Sequence, residues 1–335
     1  MRMNFMLDLP VVSPEPRMKY EDKILLTGSC FTEHIGNSLA SLKFNILQNP
    51  NGILFDPRSV AYSLVSYIQN KEYHETDLFQ INEIWHSWQH HSIFSGLNKE
   101  ECLSKINYSQ KIAHEFLKQA DWLLITLGSS FSYHLTGNSP GKGGVANCHR
   151  APAQWFNKIL MTIEEINILM DNCIHQLFRF NPSLKIIFTV SPVRHIRDGV
   201  IENNKSKARL IEVVHHLVNK FDKIYYFPAY ELVIDVLRDY RFYDIDLVHP
   251  NYQATQFVLE KFMRSFLNDE SQKLAEEIQK IILARKHKPF QPDTEAHKKF
   301  LHSNYEKTLA IQKNYPFLTL QDELEYFSPH EQSYP

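Results

Sequence analysis

Five short apolar runs punctuate the chain, at 23–27, 44–48, 122–127, 185–190 and 223–227, and each is followed by a polar break and then a stretch with helical spacing. Runs of that length between helix-length segments read as buried strands joined by crossover helices. Such a connection returns the second strand parallel to the first and is right-handed, so the repeats build one open sheet with helices on both faces. The expected class is therefore α/β, an open parallel five-stranded sheet. Helices are predicted over 32–42, 57–69, 99–119, 151–179, 202–220, 230–240 and 251–267. Pro57 sits in a tolerated first turn, and Asn98-Lys99-Glu100-Glu101 is a capping-box-like start.

Four segments fall outside the alternation. Residues 1–20 carry three prolines and no helical period, and read as an extended surface lead-in. The aromatic segment 78–94, with Trp85, His86, Trp88, His90 and His91, suits a hairpin or a cap over the sheet end. Residues 137–144 hold four of the chain's ten glycines and read as a flexible loop; they lack the spacing of a phosphate-binding loop. Past Asn268 the chain becomes rich in Lys, Glu and Gln, with a second helix expected over 293–312. The expected organisation is an α/β domain over 1–267, carrying an insertion at about 56–120, and a helical C-terminal extension over 268–335.

In open parallel sheets ligands bind beyond the carboxyl ends of the strands. Gly28, Gly52, Gly128 and Ser191 each fall just past one of the runs. The first of these places is the richest in chemistry. Ile24-Leu25-Leu26-Thr27-Gly28 leads into Ser29-Cys30-Phe31, and then into a helical pattern. A strand turning sharply into a helix thrusts one side chain up beside helix-start N–H groups, which is where a nucleophile is best served. The same residues also suit an ordinary turn with a small buried cysteine.

Composition removes several other classes. The formal net charge is −2 and no long Lys/Arg block occurs, so a basic nucleic-acid-binding face is not expected. No apolar run reaches the ~18 residues of a membrane helix, and the first ten residues lack the apolar core of a signal peptide. Cys30, Cys102, Cys148 and Cys173 are scattered with no C-x-x-C pair, which fits reduced thiols and a cytoplasmic location. No cofactor is expected. A metal held by Cys30, Cys148, His149 and His249 would match no known ligand spacing.

Gly28-Ser29-Cys30-Phe31, with Thr32 in the fifth place, resembles the block that names the GSCFA family. Further matching pieces are Asn49-Pro50-Asn51-Gly52-Ile53-Leu54-Phe55, Ile125-Thr126-Leu127-Gly128, Asn147-Cys148-His149, Ser191-Pro192-Val193-Arg194-His195, Asn204-Lys205-Ser206-Lys207 and Asp246-Leu247-Val248-His249. The likeness covers roughly residues 5–270. That family looks like a branch of the SGNH (GDSL-like) hydrolases, which implies an SGNH-hydrolase-like, flavodoxin-like sheet. Those enzymes carry their nucleophile in Gly-Asp-Ser-x-[Thr/Ala] and a late Asp-x-x-His. Laid over that pattern, Cys30 holds the nucleophile's slot and Ser29 stands where the pattern has Asp. Either Cys30 is the nucleophile, or Ser29 acts from a shifted turn.

The resemblance implies a division of roles. His249 is the base that takes the nucleophile's proton and returns it to the leaving group, and Asp246 fixes the imidazole. Read from the residues alone, Asp246 could equally cap the following helix. Oxyanion donors would be the N–H groups of Cys30 and Gly52 and a side chain after the third strand. The Asn of the SGNH pattern is missing at Gly128-Ser129-Ser130, which leaves Asn147 or Ser130 as its substitute. Arg194, His195, Lys205 and Lys207 could hold an anionic part of the substrate, or be a solvated helix start. Gly128, His91 and His149 are further pocket candidates. The expected activity is that of an esterase, thioesterase or acyltransferase on a small-molecule or glycan acyl ester. The other class is a non-catalytic ligand-binding module on the same fold.

Overall fold

The computed structural model describes residues 6–328. Strand β1 (Ile24–Gly28) turns into α1 (Cys30–Ser41), then β2 (Ile46–Gln48) and α2 (Pro57–Ile68) follow. A hairpin of β3 (Leu78–Ile81) and β4 (Ile84–Ser87) leads to α3 (Lys99–Gln119) and β5 (Trp122–Leu127). Next come β6 (Phe131–Leu135), β7 (Gly144–Val145), β8 (Phe156–Leu160), α4 (Ile163–Phe180), β9 (Lys185–Val190), α5 (Val200–Lys220) and β10 (Ile224–Tyr226). The short α6 (Ala229–Glu231) runs on as a π-helical turn (Leu232–Leu237), and α7 (Tyr252–Phe266), α8 (Asp269–Lys286), α9 (Glu295–Asn314) and α10 (Gln321–Phe327) complete the helices.

The central sheet is wholly parallel, in the order β2-β1-β5-β9-β10. The chain leaves β1 for the edge at β2, then returns past β1 to β5. The carboxyl ends of β1 and β5 therefore flank the point where winding reverses, the usual place for a ligand in such a sheet. The period-two alternation of the strands sorts their side chains into two cores. Ile24, Leu26, Trp122, Leu124 and Ile187 face one side with α1 and α7, through Phe31, Ile35, Leu39, Val258, Phe262 and Phe266. Leu25, Leu123, Ile125, Ile186 and Phe188 face the other, against Val60 and Leu64 of α2, Ile166 and Met170 of α4, and Leu210 and Val213 of α5. Each such buried side chain contributes roughly 1.5–3 kcal/mol, so the sheet is clamped from both faces.

The C-terminal helices lie on the first of these cores. Leu274, Ile278 and Ile281 of α8, Leu301 and Ile311 of α9, and Phe327 of α10 share it with α1 and α7. Buried Glu323 adds a polar staple, meeting Lys43 at 3.0 Å and Arg285 at 2.9 Å. Among the described residues, no helix is long and apolar enough to cross a membrane.

Two expectations need correction. The stretch 151–179 is not one helix: Phe156–Leu160 pairs antiparallel with β6, and the helix begins at Ile163 behind a capping box of Thr162 and Glu165. With β7 this makes a three-stranded antiparallel sheet, β7-β6-β8, that the apolar runs did not announce. Its strand β8 is mostly exposed and carries Asn157 and Lys158, so it lacks the continuous apolar signal of a central strand. The lead-in is not wholly superficial either. Met18 and Tyr20 are buried, and Met18 forms a bridge to Leu267 with its N–H donating to Phe266 O. Residues 1–5 lie outside the described residues.

Gly28, at the end of β1, has φ +142°, and a Cβ there would stand 2.2 Å from Thr126 O of β5. Gly28→Ala is expected to lower the unfolding free energy by about 2–4 kcal/mol, read as a shift in the urea midpoint. An unchanged midpoint would show that β1 and β5 do not need this approach.

Candidate functional site

The site is built where β1 gives way to α1. Gly28 brings the two strand ends together, and its N–H donates to Asn49 Oδ1 at 3.0 Å. Ser29 occupies the N-cap position of α1 without making a side-chain cap bond, and its N–H donates to Thr126 O at 3.2 Å. The Ser29 hydroxyl is sealed in the interior and has no hydrogen-bond partner. Cys30, the first residue of the helix, is only partly buried. Burial pushes its thiol up, while the N–H groups of Phe31 and of Cys30 itself, and the charge of Lys207, pull it down. The net direction is upward, so the resting group is a thiol.

The loop after β2 braces this turn. Gly52 has φ +78°, and a Cβ on it would lie 2.2 Å from His91 Cβ, so glycine is required for the hairpin to seat there. The Gly52 N–H donates to Asn49 O at 2.6 Å, and Asn51 is fixed by Tyr67 Oη on its Oδ1 and by His91 N–H on its carbonyl. After β5, the Gly128 N–H donates to Phe55 O at 2.8 Å. Ser130 is consumed by α5: its N–H donates to Ser206 Oγ at 2.7 Å and its hydroxyl to Ser206 O at 3.1 Å.

The four residues expected to form one charged cluster point to four places. Lys205 is exposed and pairs with Glu202 at 2.9 Å on its own helix. Arg194 lies over the Tyr243 ring at 5.0 Å. His195 meets Phe55 edge-on at 5.6 Å, and burial, with help from the Lys207 charge, lowers it to about 4. Lys207 turns inward. It is 1% exposed, and its Nζ donates to Gly128 O at 2.5 Å and Ser191 O at 2.6 Å, tying the ends of β5 and β9. Burial lowers it to about 7.

Asp246 and His249 form a tight unit. The Val248 and His249 N–H groups donate to Asp246 Oδ1 at 2.9 and 3.0 Å, and His249 Nδ1 lies 2.6 Å from Asp246 Oδ2. Leu247 makes the turn at φ +58°. The hydrogen bonds from His249 hold the Asp246 carboxyl at about 2, so it stays ionised. Asp246 does not cap α7; Asn251 does, accepting from Ala254 N–H at 3.1 Å. The Arg194 N–H donates to Val248 O at 3.4 Å, joining this loop to the segment after β9. Charge on Lys207 is felt by both Cys30 and His195, and charge on His249 is felt by His195.

Asn147 and His149 belong elsewhere, with the hairpin. Asn147 Oδ1 accepts the His149 N–H at 2.9 Å, and His149 Nε2 meets Ser87 O at 2.8 Å. The His149 ring lies 4.5 Å from that of His86, and burial lowers it to about 4. A cavity of about 690 Å³ opens between α2, α4 and the glycine-rich loop, and Ser29, Cys30, Asp246 and His249 are not in its lining. Among the described residues, no group of three or more His, Cys, Asp and Glu side chains could hold a metal ion.

Sequence reasoning missed the inward course of Lys207 and the clamp by Asn49. The first was detectable. Asn203, Lys207, Leu210, Val214 and Leu217 recur at helical spacing, so residue 207 falls on the buried stripe of α5.

The family model described as GSCFA family matches residues 23–262, and that described as GSCFA domain protein, C-terminal domain, matches 278–329. A search of the curated proteins finds no match. With most of its length, sheet and strand-end blocks included, covered by one model, the chain belongs to the GSCFA family.

Proposed function

We propose that the protein is an SGNH-like hydrolase or acyltransferase that works on an ester or thioester through an acyl-enzyme on Cys30. The observation that carries this reading is the contrast at the first turn of α1. Cys30 is only partly buried at the start of the helix, whereas the Ser29 hydroxyl is sealed. A substrate carbonyl can reach the first and not the second. The first-turn N–H groups, that of Cys30 foremost, receive the oxyanion.

His249 is the general acid–base of the site. With Nδ1–H donating to Asp246, its Nε2 carries the lone pair. It takes the proton of the Cys30 thiol and gives it to the leaving alcohol or thiol, then takes a proton from the water or alcohol that releases the acyl group and returns it to the sulfur. The substrate is a small-molecule or glycan acyl ester, and the unpaired cysteines fit a cytoplasmic enzyme. One observation favours the non-catalytic alternative: the expected oxyanion donors Gly52 and Ser130 are already engaged, by Asn49 O and Ser206. On that reading the cleft binds its ligand without turning it over.

Brief exposure to p-nitrophenyl acetate followed by intact-mass measurement separates the two. The wild type and Ser29→Ala are expected to gain one acetyl group, and Cys30→Ala none. An adduct lost only in Ser29→Ala would make this a serine enzyme, and no adduct on any variant would favour the binding module. Asp246→Asn, which loosens the imidazole and spoils its tautomer, is expected to slow deacetylation on the order of 10³-fold. An unchanged deacetylation rate would remove His249 from the role assigned to it.

A further inference from the structure

The glycine-rich loop 137–144 and the end of the aromatic hairpin take no part in the chemistry proposed at Cys30. They meet instead at the cavity of about 690 Å³ beside α2 and α4, a volume that suits a small metabolite. The loop is pinned there: Trp88 Nε1 donates to Pro140 O at 2.9 Å, and Gln89 Nε2 to Gly144 O at 2.8 Å. Gly141 and Gly143, at φ +91° and +103°, hold Lys142 between them in the lining. Arg58 of α2 and Lys71 line the same space, against one acid, Asp77. Asp77 Oδ1 lies 4.0 Å from Lys71, whose Nζ also donates to Tyr62 Oη at 2.7 Å. Arg58 has no such partner. Its Nε is buried without a hydrogen bond, and among the described residues its guanidinium forms no ion pair. Asp56, two residues before it, is occupied as the N-cap of α2, accepting the N–H groups of Arg58 and Ser59 and the Ser59 hydroxyl. Lys142 forms no ion pair either. An unpaired guanidinium and an unpaired ammonium lining one cavity are the donor set that a phosphate takes up.

We propose that this cavity is a second ligand site, separate from Cys30, that binds the phosphate ester of a sugar or other small polyol. Arg58 takes the phosphate with its planar fork, and Lys142 and Lys71 add charge from the loop and from the segment after α2. Three cations against one acid favour a dianionic phosphate over a single carboxylate. Asn172 and Gln176, which line the cavity from α4, offer amides to the hydroxyls of the polyol. The ligand thereby ties α2, α4 and the glycine-rich loop together. The site binds and carries out no reaction, and it stands whether or not Cys30 forms an acyl-enzyme.

The test is calorimetric titration of the full chain with inorganic phosphate, with the phosphate esters of glucose, ribose and glycerol, and with unphosphorylated glucose. At least one ester is expected to bind, more tightly than inorganic phosphate, and glucose is expected to give no heat. Arg58→Gln is expected to weaken the ester at least ~10-fold, the loss of a charge-assisted contact. Asn172 is exposed on α4, so Asn172→Trp can fill the cavity without removing a cation; it is expected to weaken the ester by a similar factor. Arg194→Gln, beside the Asp246–His249 loop, is expected to leave the affinity unchanged. Asn172→Trp and Arg194→Gln decide the matter even if Arg58→Gln fails to fold. No heat from any ester at about 10 mM, well above a weak millimolar constant, would overturn the proposal. So would inorganic phosphate or glucose binding as tightly as the ester, or an affinity lost in Arg194→Gln and kept in Asn172→Trp.

Discussion

The close approach of β1 to β5 at Gly28 sets the geometry of everything above the sheet. Leu26, Thr27 and Gly28 lie opposite Leu124, Ile125 and Thr126, and at the last pair the space between the backbones admits no side chain. Because the strand ends are drawn together, Ser29 N–H reaches Thr126 O, and the chain enters α1 at once. Cys30 is thereby carried to the rim while Ser29 is left inside.

Once that approach is made, the polar groups it exposes must be met. Asn49 takes the Gly28 N–H, Phe55 O takes those of Gly128 and Ser129, and Ser206 takes Ser130. Lys207 takes the carbonyls of Gly128 and Ser191. Buried backbone groups left unpaired would each cost about 1–3 kcal/mol, so these side chains are structural as well as chemical. This explains why so many of the sequence blocks fall just past strands: they close the carboxyl edge of the sheet.

The sheet was legible because it is buried on both faces. Its strands are continuous apolar runs, and 122–127 and 185–190 coincide with β5 and β9. The antiparallel β6–β8 sheet was not, since Phe156–Leu160 is short and stays largely in solvent, and the run-based reading merged it with the helix behind. At the site, the turn at Gly28 and the Asp246–His249 unit could be read from local spacing. The fates of Lys205 and Lys207 could not be read from charge alone. Two residues apart on a helix, they face solvent and core respectively, and only the apolar stripe through Leu210 and Val214 tells them apart.

The most direct test of the account is to locate the covalent bond itself. The protein would be reacted with a β-lactone, whose ring opening leaves a stable acyl group, and its peptides sequenced by mass spectrometry. The account predicts an adduct on the sulfur of Cys30, abolished by prior alkylation of that residue. An adduct on Ser29, or labelling spread over Cys148 and surface lysines with Cys30 unmodified, would contradict it.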